Sequence, residues 1–385
     1  HPLHSSISAP TSTTANASGH WSVTLPVQVD GQHTYEAQAK NVAGDTLTAS
    51  FTLTVDTVPS SVPSIDAAMD DVGAKQGPLA SGDVTDDPTP TFSGSGIVGD
   101  KINLYDGNEL IGSTTVDGNG HWSYTVPALT TEGQHLITTT SVDAVGNESG
   151  RSPGFTLILD TTPPDLGSVQ LTTDPVTNDN LINATEAKGN VTLTGTLTGV
   201  PADVTNVVLV VSVDGKDYTA ALNGSTWSVT VAGDALVADV DHRVEVTVTL
   251  SDQAGNTAVL NGHQDYAVDA RVPTIQINPG IAGDDIVNHA EVGSVSVSGT
   301  TGNVEDGCTV TVTFSDGVHQ VVSTATVSNG VWTSGSANLG SLNQGNLTVT
   351  AEVTDQHGNA VNGTTSVLLD TLAPTDPQYQ VAITA

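Results

Sequence analysis

Four tryptophans mark this chain as a tandem repeat. Trp21, Trp122, Trp227 and Trp332 stand 101, 105 and 105 residues apart in a chain of 385 residues. Three of them follow a turn-like cluster and open a strand-like run: "ASGHWSVTLP", "GNGHWSYTVP" and "NGSTWSVTV". The fourth, "SNGVWTSGS", is a weaker copy. A unit of about a hundred residues can hold its own core, so the length predicts three or four such units.

Two further landmarks keep their order around each tryptophan. One is a loop, "DAVGN" (143–147), echoed by "DQAGN" (252–256) and "DQHGN" (355–359), with an altered "NVAGD" (41–45) in the first repeat. The other is a strand that ends on an acid and then a proline-containing linker: Asp56, Asp160, Asp269 and Asp370 each precede a proline by three or four residues. Between landmarks, stretches such as "NVTLTGTLTG" and "CTVTVTFSDG" alternate apolar and polar residues, rich in Val and Thr and closed by Gly, Asn and Asp. That period of two is the signature of half-buried strands. Seven or so short strands per repeat predict an all-β chain of tandem immunoglobulin-like β-sandwiches arranged as an elongated rod, each tryptophan in a core. The expected boundaries are a partial repeat at 1–58, complete repeats at 59–161, 162–270 and 271–371, and a stub from 372 to 385.

Acids crowd the start of each complete repeat. The second carries Asp70, Asp71, Asp86 and Asp87; the third Asp179, Asn183 and Glu186; the fourth Asp284, Asp285, Asn288 and Glu291. The last two share a frame, Asp–x–Leu/Ile–x–Asn–x–x–Glu. Two carboxylates about 5 Å apart repel by roughly 3 kcal/mol at an effective dielectric near 20. With 8 Lys and Arg against 42 Asp and Glu, no local cation is expected to offset this. A hard divalent ion would, because calcium takes six to eight oxygens from Asp, Glu, Asn and carbonyls. Turn chemistry is the competing reading, since Asp and Asn side chains bond nearby backbone at turn starts. Recurrence beside the linkers, and acid pairs such as Asp86–Asp87, favour calcium. Asp160 is then expected to be a ligand shared across a joint. The sequence leaves open at which pole the Asp143, Asp252 and Asp355 loops lie. Zinc would want His or Cys; the 11 histidines show no metal-site spacing, and His289, inside an acidic frame, stands out.

The formal charge of −34 excludes a nucleic-acid partner, which needs a basic footprint, and opposes docking on anionic membranes. No apolar run is long enough to span a bilayer. One cysteine, Cys308, precludes an internal disulfide framework. His1 follows no signal peptide or initiator methionine, so the chain reads as part of something longer.

The stretches "TDDPTPTFSG", "DGNELIGSTTVDGNGHWSYTVP", "DAVGN" and "LDTTPP" resemble the bacterial immunoglobulin-like repeats of giant, type I-secreted non-fimbrial adhesins. The resemblance implies a monomeric, extracellular or surface-bound rod with calcium at its joints. Asp143, Asp160, Asp252, Asp269, Asp355 and Asp370, with the early acids, would be ligands. It further implies attachment to a host-cell surface, a glycan receptor or a matrix polysaccharide, as in a biofilm. Asn41 and Asp45 reverse the loop pattern and put the first half-site in doubt.

A second reading makes these repeats accessory modules of a secreted polysaccharide-degrading enzyme. Catalysis within the chain is disfavoured: there is no G-x-S-x-G elbow, phosphate loop or dinucleotide fingerprint, and the paired carboxylates recur in register, as structure would.

Overall fold

The computed structural model describes residues 11–372; the expected stub from 373 onward lies outside them. The described residues fall into two compact units, one running to residue 164 with 251–257, the other covering 165–250 and 258 onward. The chain is all-β, built of Ig-like sandwiches, and its one α-helix among the described residues is the six-residue Gly233–Ala238.

Three separate apolar cores account for three sandwiches. One gathers Ala68 to Leu159, one Val169 to Tyr266, one Ile275 to Leu369. In the first, a sheet of Gly77–Leu79, Ala67–Asp70, Thr91–Ser95 and His121–Thr125 faces a sheet of Val84–Thr85, Phe155–Leu159, Gly133–Val142, Lys101–Asp106 and Glu109–Thr115. Alternating burial along strands such as Asn190–Thr198 and Arg243–Ser251 shows why the sequence alternates: one face of each strand meets the core and the other meets water. Ahead of these, Gly31–Lys40 and Thr46–Val55 pair in a hairpin whose side chains are largely exposed, Phe51 and Leu47 among them.

The tryptophans of the complete repeats are core residues. Trp122, Trp227 and Trp332 are at most 3 % exposed, whereas Trp21 is 54 % exposed. Each buried indole lies across a glycine paired to it on the neighbouring strand: Gly94, Gly195 and Gly299. A Cβ on those glycines would stand 2.7, 2.6 and 2.4 Å from indole carbons. Trp122 and Trp227 also donate Nε1–H to the carbonyls of Ser64 and Thr172, at 3.1 and 3.0 Å.

One pairing positions the acids. In every complete repeat the last strand lies parallel to a short early strand: Ile158–Leu159 with Val84–Thr85, Ala267–Asp269 with Leu181–Asn183, Leu368–Leu369 with Ile286–Val287. The acidic early segment therefore ends beside the strand-ending aspartate. Asp160 N–H donates to the Thr85 carbonyl at 2.9 Å and Asp370 N–H to that of Val287 at 3.0 Å.

Candidate metal centre

The strand-ending aspartates first of all make turns. Oδ1 of Asp56, Asp160, Asp269 and Asp370 accepts the N–H two residues on, from Val58, Thr162, Arg271 and Leu372, at 3.1, 3.2, 3.3 and 3.2 Å. Such a side chain supplies the acceptor that a strand end leading into proline lacks. The backbone carbonyls of three of them are taken by the side-chain amide of a following loop. In the first unit Asn147 Nδ2 donates to Asp56 O at 3.1 Å and Asn256 Nδ2 to Asp160 O at 2.8 Å; in the second, Asn359 Nδ2 donates to Asp269 O at 3.1 Å.

The loop aspartates aim those amides. Asp143 Oδ1 collects the N–H groups of Val145, Gly146 and Asn147, and its Oδ2 takes the Asn147 amide at 2.8 Å. Asp252 and Asp355 do the same for Asn256 and Asn359, at 2.9 Å each. Burial raises the Asp143 pKa, but the Asn147 amide and the loop N–H groups outweigh it and hold the carboxyl below its ordinary value. An amide has two hydrogens, and both are used. This places the loop beside the strand end that precedes its repeat, the question the sequence left open. In the first repeat Asn41 Nδ2 bonds Asp45 Oδ2 at 2.9 Å, so the loop closes, but a carboxylate at position 45 has no hydrogen to pass on.

The shared frame of the third and fourth repeats is occupied with its own loop. Asn183 Oδ1 accepts from Glu186 N–H while Glu186 Oε2 accepts from Asn183 N–H, both at 3.0 Å, a reciprocal capping box. Glu291 Oε2 likewise accepts from Asn288 N–H at 3.1 Å. Asp179 Oδ1 bonds Thr177 and Leu181, Asp284 Oδ1 bonds Ile286, and Asp285 Oδ1 bonds Gly280 and Ile281. The spacing that suggested ligands also builds a capped turn. His289 is exposed in that turn.

A different arrangement holds in the second repeat. Asp70 and Asp87 are buried; Asp70 accepts from Thr85 Oγ1 at 2.6 Å and Val72 N–H at 3.0 Å, and Asp87 Oδ1 accepts from Thr89 N–H at 2.7 Å. Asp71 is exposed, with its N–H 3.5 Å from Asp87 Oδ2. Asp86 follows on the same segment, and its Oδ1 is shut off from solvent and has no hydrogen-bond partner. Burial pushes the Asp86 carboxyl above its ordinary value, and the charges of Asp70, Asp252 and Asp87 push it the same way. Its carboxylate sits where only a glycine backbone leaves room: a Cβ on Gly73, at φ +69°, would be 2.0 Å from Asp86 Oδ2. The expectation of no local cation needs correcting here. Lys75 reaches the same region, but its ammonium is bonded to the Gln253 carbonyl at 2.9 Å.

In the second unit the structure assembles Asp269, Glu305 and His357, their ligand atoms all within 4.8 Å of one another. Glu305 and His357 escaped the sequence reading; His357 sits in the middle of "DQHGN", where a departure from Val145 and Ala254 of the sister loops was the available signal. Here too a basic residue is present. Arg271 Nε donates to Asp269 Oδ1 at 3.0 Å and holds that carboxyl below its ordinary value, burial notwithstanding.

The bacterial Ig-like domain family matches residues 4–57 and 60–161. A solved structure, the Ca2+-stabilized adhesin that helps an Antarctic bacterium reach out and bind ice, is 30% identical, with a TM-score of 0.55; the match covers 93% of this chain and 87% of that one. The chain belongs to the bacterial Ig-like family. A bacterial immunoglobulin-like domain from the M. primoryensis ice-binding adhesin is 37% identical over 26% of this chain and 96% of its own, at a TM-score of 0.24. None of the curated proteins matches.

Two other side chains of these bacterial Ig-like repeats bear on ligand binding. Tyr105, half-buried on its strand, has the Arg151 guanidinium 3.5 Å over its ring and its hydroxyl on Glu148 at 3.0 Å, so that ring face is not free to stack on a sugar. Cys308 is buried, and burial raises its thiol pKa, which makes it a packing residue. No described helix is long and apolar enough to cross a membrane.

Proposed function

We propose that this chain is a segment of a large surface adhesin, in which Ig-like repeats carry a binding region away from the cell and calcium stiffens the linker regions. The adhesin reading rests on the likeness to the ice-binding, Ca2+-stabilized adhesin over most of both chains. The calcium reading is carried by one observation: Asp86 has a solvent-excluded carboxylate oxygen with no hydrogen-bond donor, and the charges of Asp70, Asp252 and Asp87 act on that carboxyl. Asp70, Asp86, Asp87 and Asp252 would hold the ion, whose double positive charge would cancel their mutual repulsion and fix the early segment against the loop. Extracellular calcium sites work at about 10⁻⁴–10⁻³ M, so the linkers would be firm outside a cell and slack where calcium is scarce. The surface bound by the parent protein is a host-cell surface, a glycan or a matrix polysaccharide, and the chain itself carries out no reaction.

The test is a calcium titration monitored by melting temperature and by hydrogen exchange of the 84–87 and 252–256 backbone. Calcium should raise the melting temperature and slow exchange in both stretches. The Asp86→Asn variant should lose most of that response. A wild-type chain indifferent to millimolar calcium would refute the ligand assignment.

A further inference from the structure

We infer that Asp269, Glu305 and His357 form a site for a borderline divalent cation of the zinc class, distinct from the all-oxygen cluster around Asp86 and independent of the calcium reading. Both units use the same loop, but only this one places an imidazole at its third position, where the sister loops carry Val145 and Ala254. Asp355 Oδ1 fixes the loop by accepting from His357 N–H at 2.9 Å and Asn359 N–H at 2.8 Å. The Asn359 bond to the Asp269 carbonyl then brings the imidazole against the Asp269 side chain.

His357 Nδ1 lies 2.8 Å from Asp269 Oδ2 and 3.7 Å from Glu305 Oε1. Despite that closeness, Nδ1 is shut off from solvent and its approach has no hydrogen-bond alignment. An imidazole nitrogen with no aligned hydrogen bond and two carboxylate oxygens thus converge, and an aligned donor, Arg271 Nη2, reaches one of those oxygens, Asp269 Oδ2. Metal bonds of about 2.0–2.2 Å at tetrahedral angles place neighbouring donors about 3.3–3.6 Å apart. The two separations bracket that edge.

Glu305 Oε2 accepts from Gln356 N–H at 3.1 Å, and Asp269 takes the Arg271 fork on both oxygens, Nε on Oδ1 at 3.0 Å and Nη2 on Oδ2 at 3.4 Å. Glu305 Oε1 and Asp269 Oδ2 face His357. Outer partners of this kind fix first ligands in place. Three donors, one of them imidazole, suit zinc and its neighbours with a fourth position for water. They are too few, and of the wrong kind, for calcium. Arg271 works against the site: its guanidinium neutralises part of the charge a cation would meet, and its Nη2 lies 3.4 Å from Asp269 Oδ2. Its side chain is 69 % exposed, free to swing outward.

The experiment is zinc titration of the whole, metal-stripped chain by calorimetry, with cobalt(II) as a visible-absorption probe. One zinc per chain should bind, and cobalt should give the intense absorption of a low-coordinate site. His357→Ala, which installs the residue of the Ala254 loop, and Glu305→Gln should each weaken binding at least about tenfold, and H357A should abolish the cobalt band. Arg271→Ala should tighten zinc binding. Absence of zinc binding to the wild-type chain, or identical binding by H357A through the other histidines, would overturn the assignment. Displacement of zinc by millimolar calcium would do the same, because it would mark an oxygen-only site.

Discussion

Asn359 donates its side-chain amide to the main-chain carbonyl of Asp269, 90 residues earlier, at 3.1 Å, while its Oδ1 accepts the Ala184 N–H at 2.6 Å. A third bond, to Asp355 Oδ2, fixes the amide plane. One buried side chain thus binds a strand end, an early-segment turn and its own loop. The recurrent Asp–x–x–Gly–Asn loop is accordingly a latch made directly between groups of the chain itself.

Removal of that latch should be costly. Asn359→Ala leaves the Asp269 carbonyl and the Ala184 N–H buried without partners, and each such group costs about 1–3 kcal/mol. Urea unfolding should show a loss of that order. Hydrogen exchange at Ala184 should accelerate, while the Val310–Phe314 core stays protected. A stability change below about 0.5 kcal/mol would mean water replaces the amide at no cost.

Asp86→Asn should change the sign of its effect with calcium. In chelator, the substitution deletes a charge that burial and Asp70, Asp252 and Asp87 disfavour, so the melting temperature should rise. In millimolar calcium it deletes a ligand, and the same variant should melt below the wild type. Two melting curves per protein decide the matter.

Glu148 gives a pH dependence. Hydrogen bonds from Thr140, then Tyr105, hold its carboxyl below the ordinary 4.5, against a smaller opposing effect of burial. A depressed folded-state pKa means the stabilisation is present above the unfolded value and is lost as pH falls through the folded one. Glu148→Gln should therefore flatten part of the stability loss below about pH 4.5. Chemical unfolding between neutral and acid pH measures it.

Gly195→Ala tests the indole seat. The new Cβ would stand 2.1 Å from the Thr172 carbonyl oxygen and 2.6 Å from the Trp227 ring. Backbone on one side and a fully buried indole on the other leave no room to relax, and overpacking of this sort costs about 1–3 kcal/mol. A lowered melting temperature with altered tryptophan near-ultraviolet dichroism is expected. Gly215→Ala, at a turn with open space beside it, serves as the comparison for its positive φ alone.

Much of this molecule was written in local pattern. Alternation along Asn190–Thr198 fixes which side chains face the core, because side chains on a strand alternate by geometry; Trp122, Trp227 and Trp332 recur because each sandwich needs its own large core residue. The all-β, Ig-like repeat character follows from those two facts alone. The function of the acids did not follow. Asp86 and Asp179 look alike in sequence, yet one has a buried oxygen without a hydrogen-bond donor and the other bonds Thr177 and Leu181 through its Oδ1. Which acids converge depends on the parallel pairing of Val84–Thr85 with Ile158–Leu159, and on which loop amide reaches which carbonyl. Likewise Glu305 and His357 are 52 residues apart, and only folding places their ligand atoms 3.7 Å from each other. Periodicity is a property of neighbours along the chain and is legible there. Charge crowding and ligand convergence are sums over neighbours in space, and the tertiary structure alone decides them.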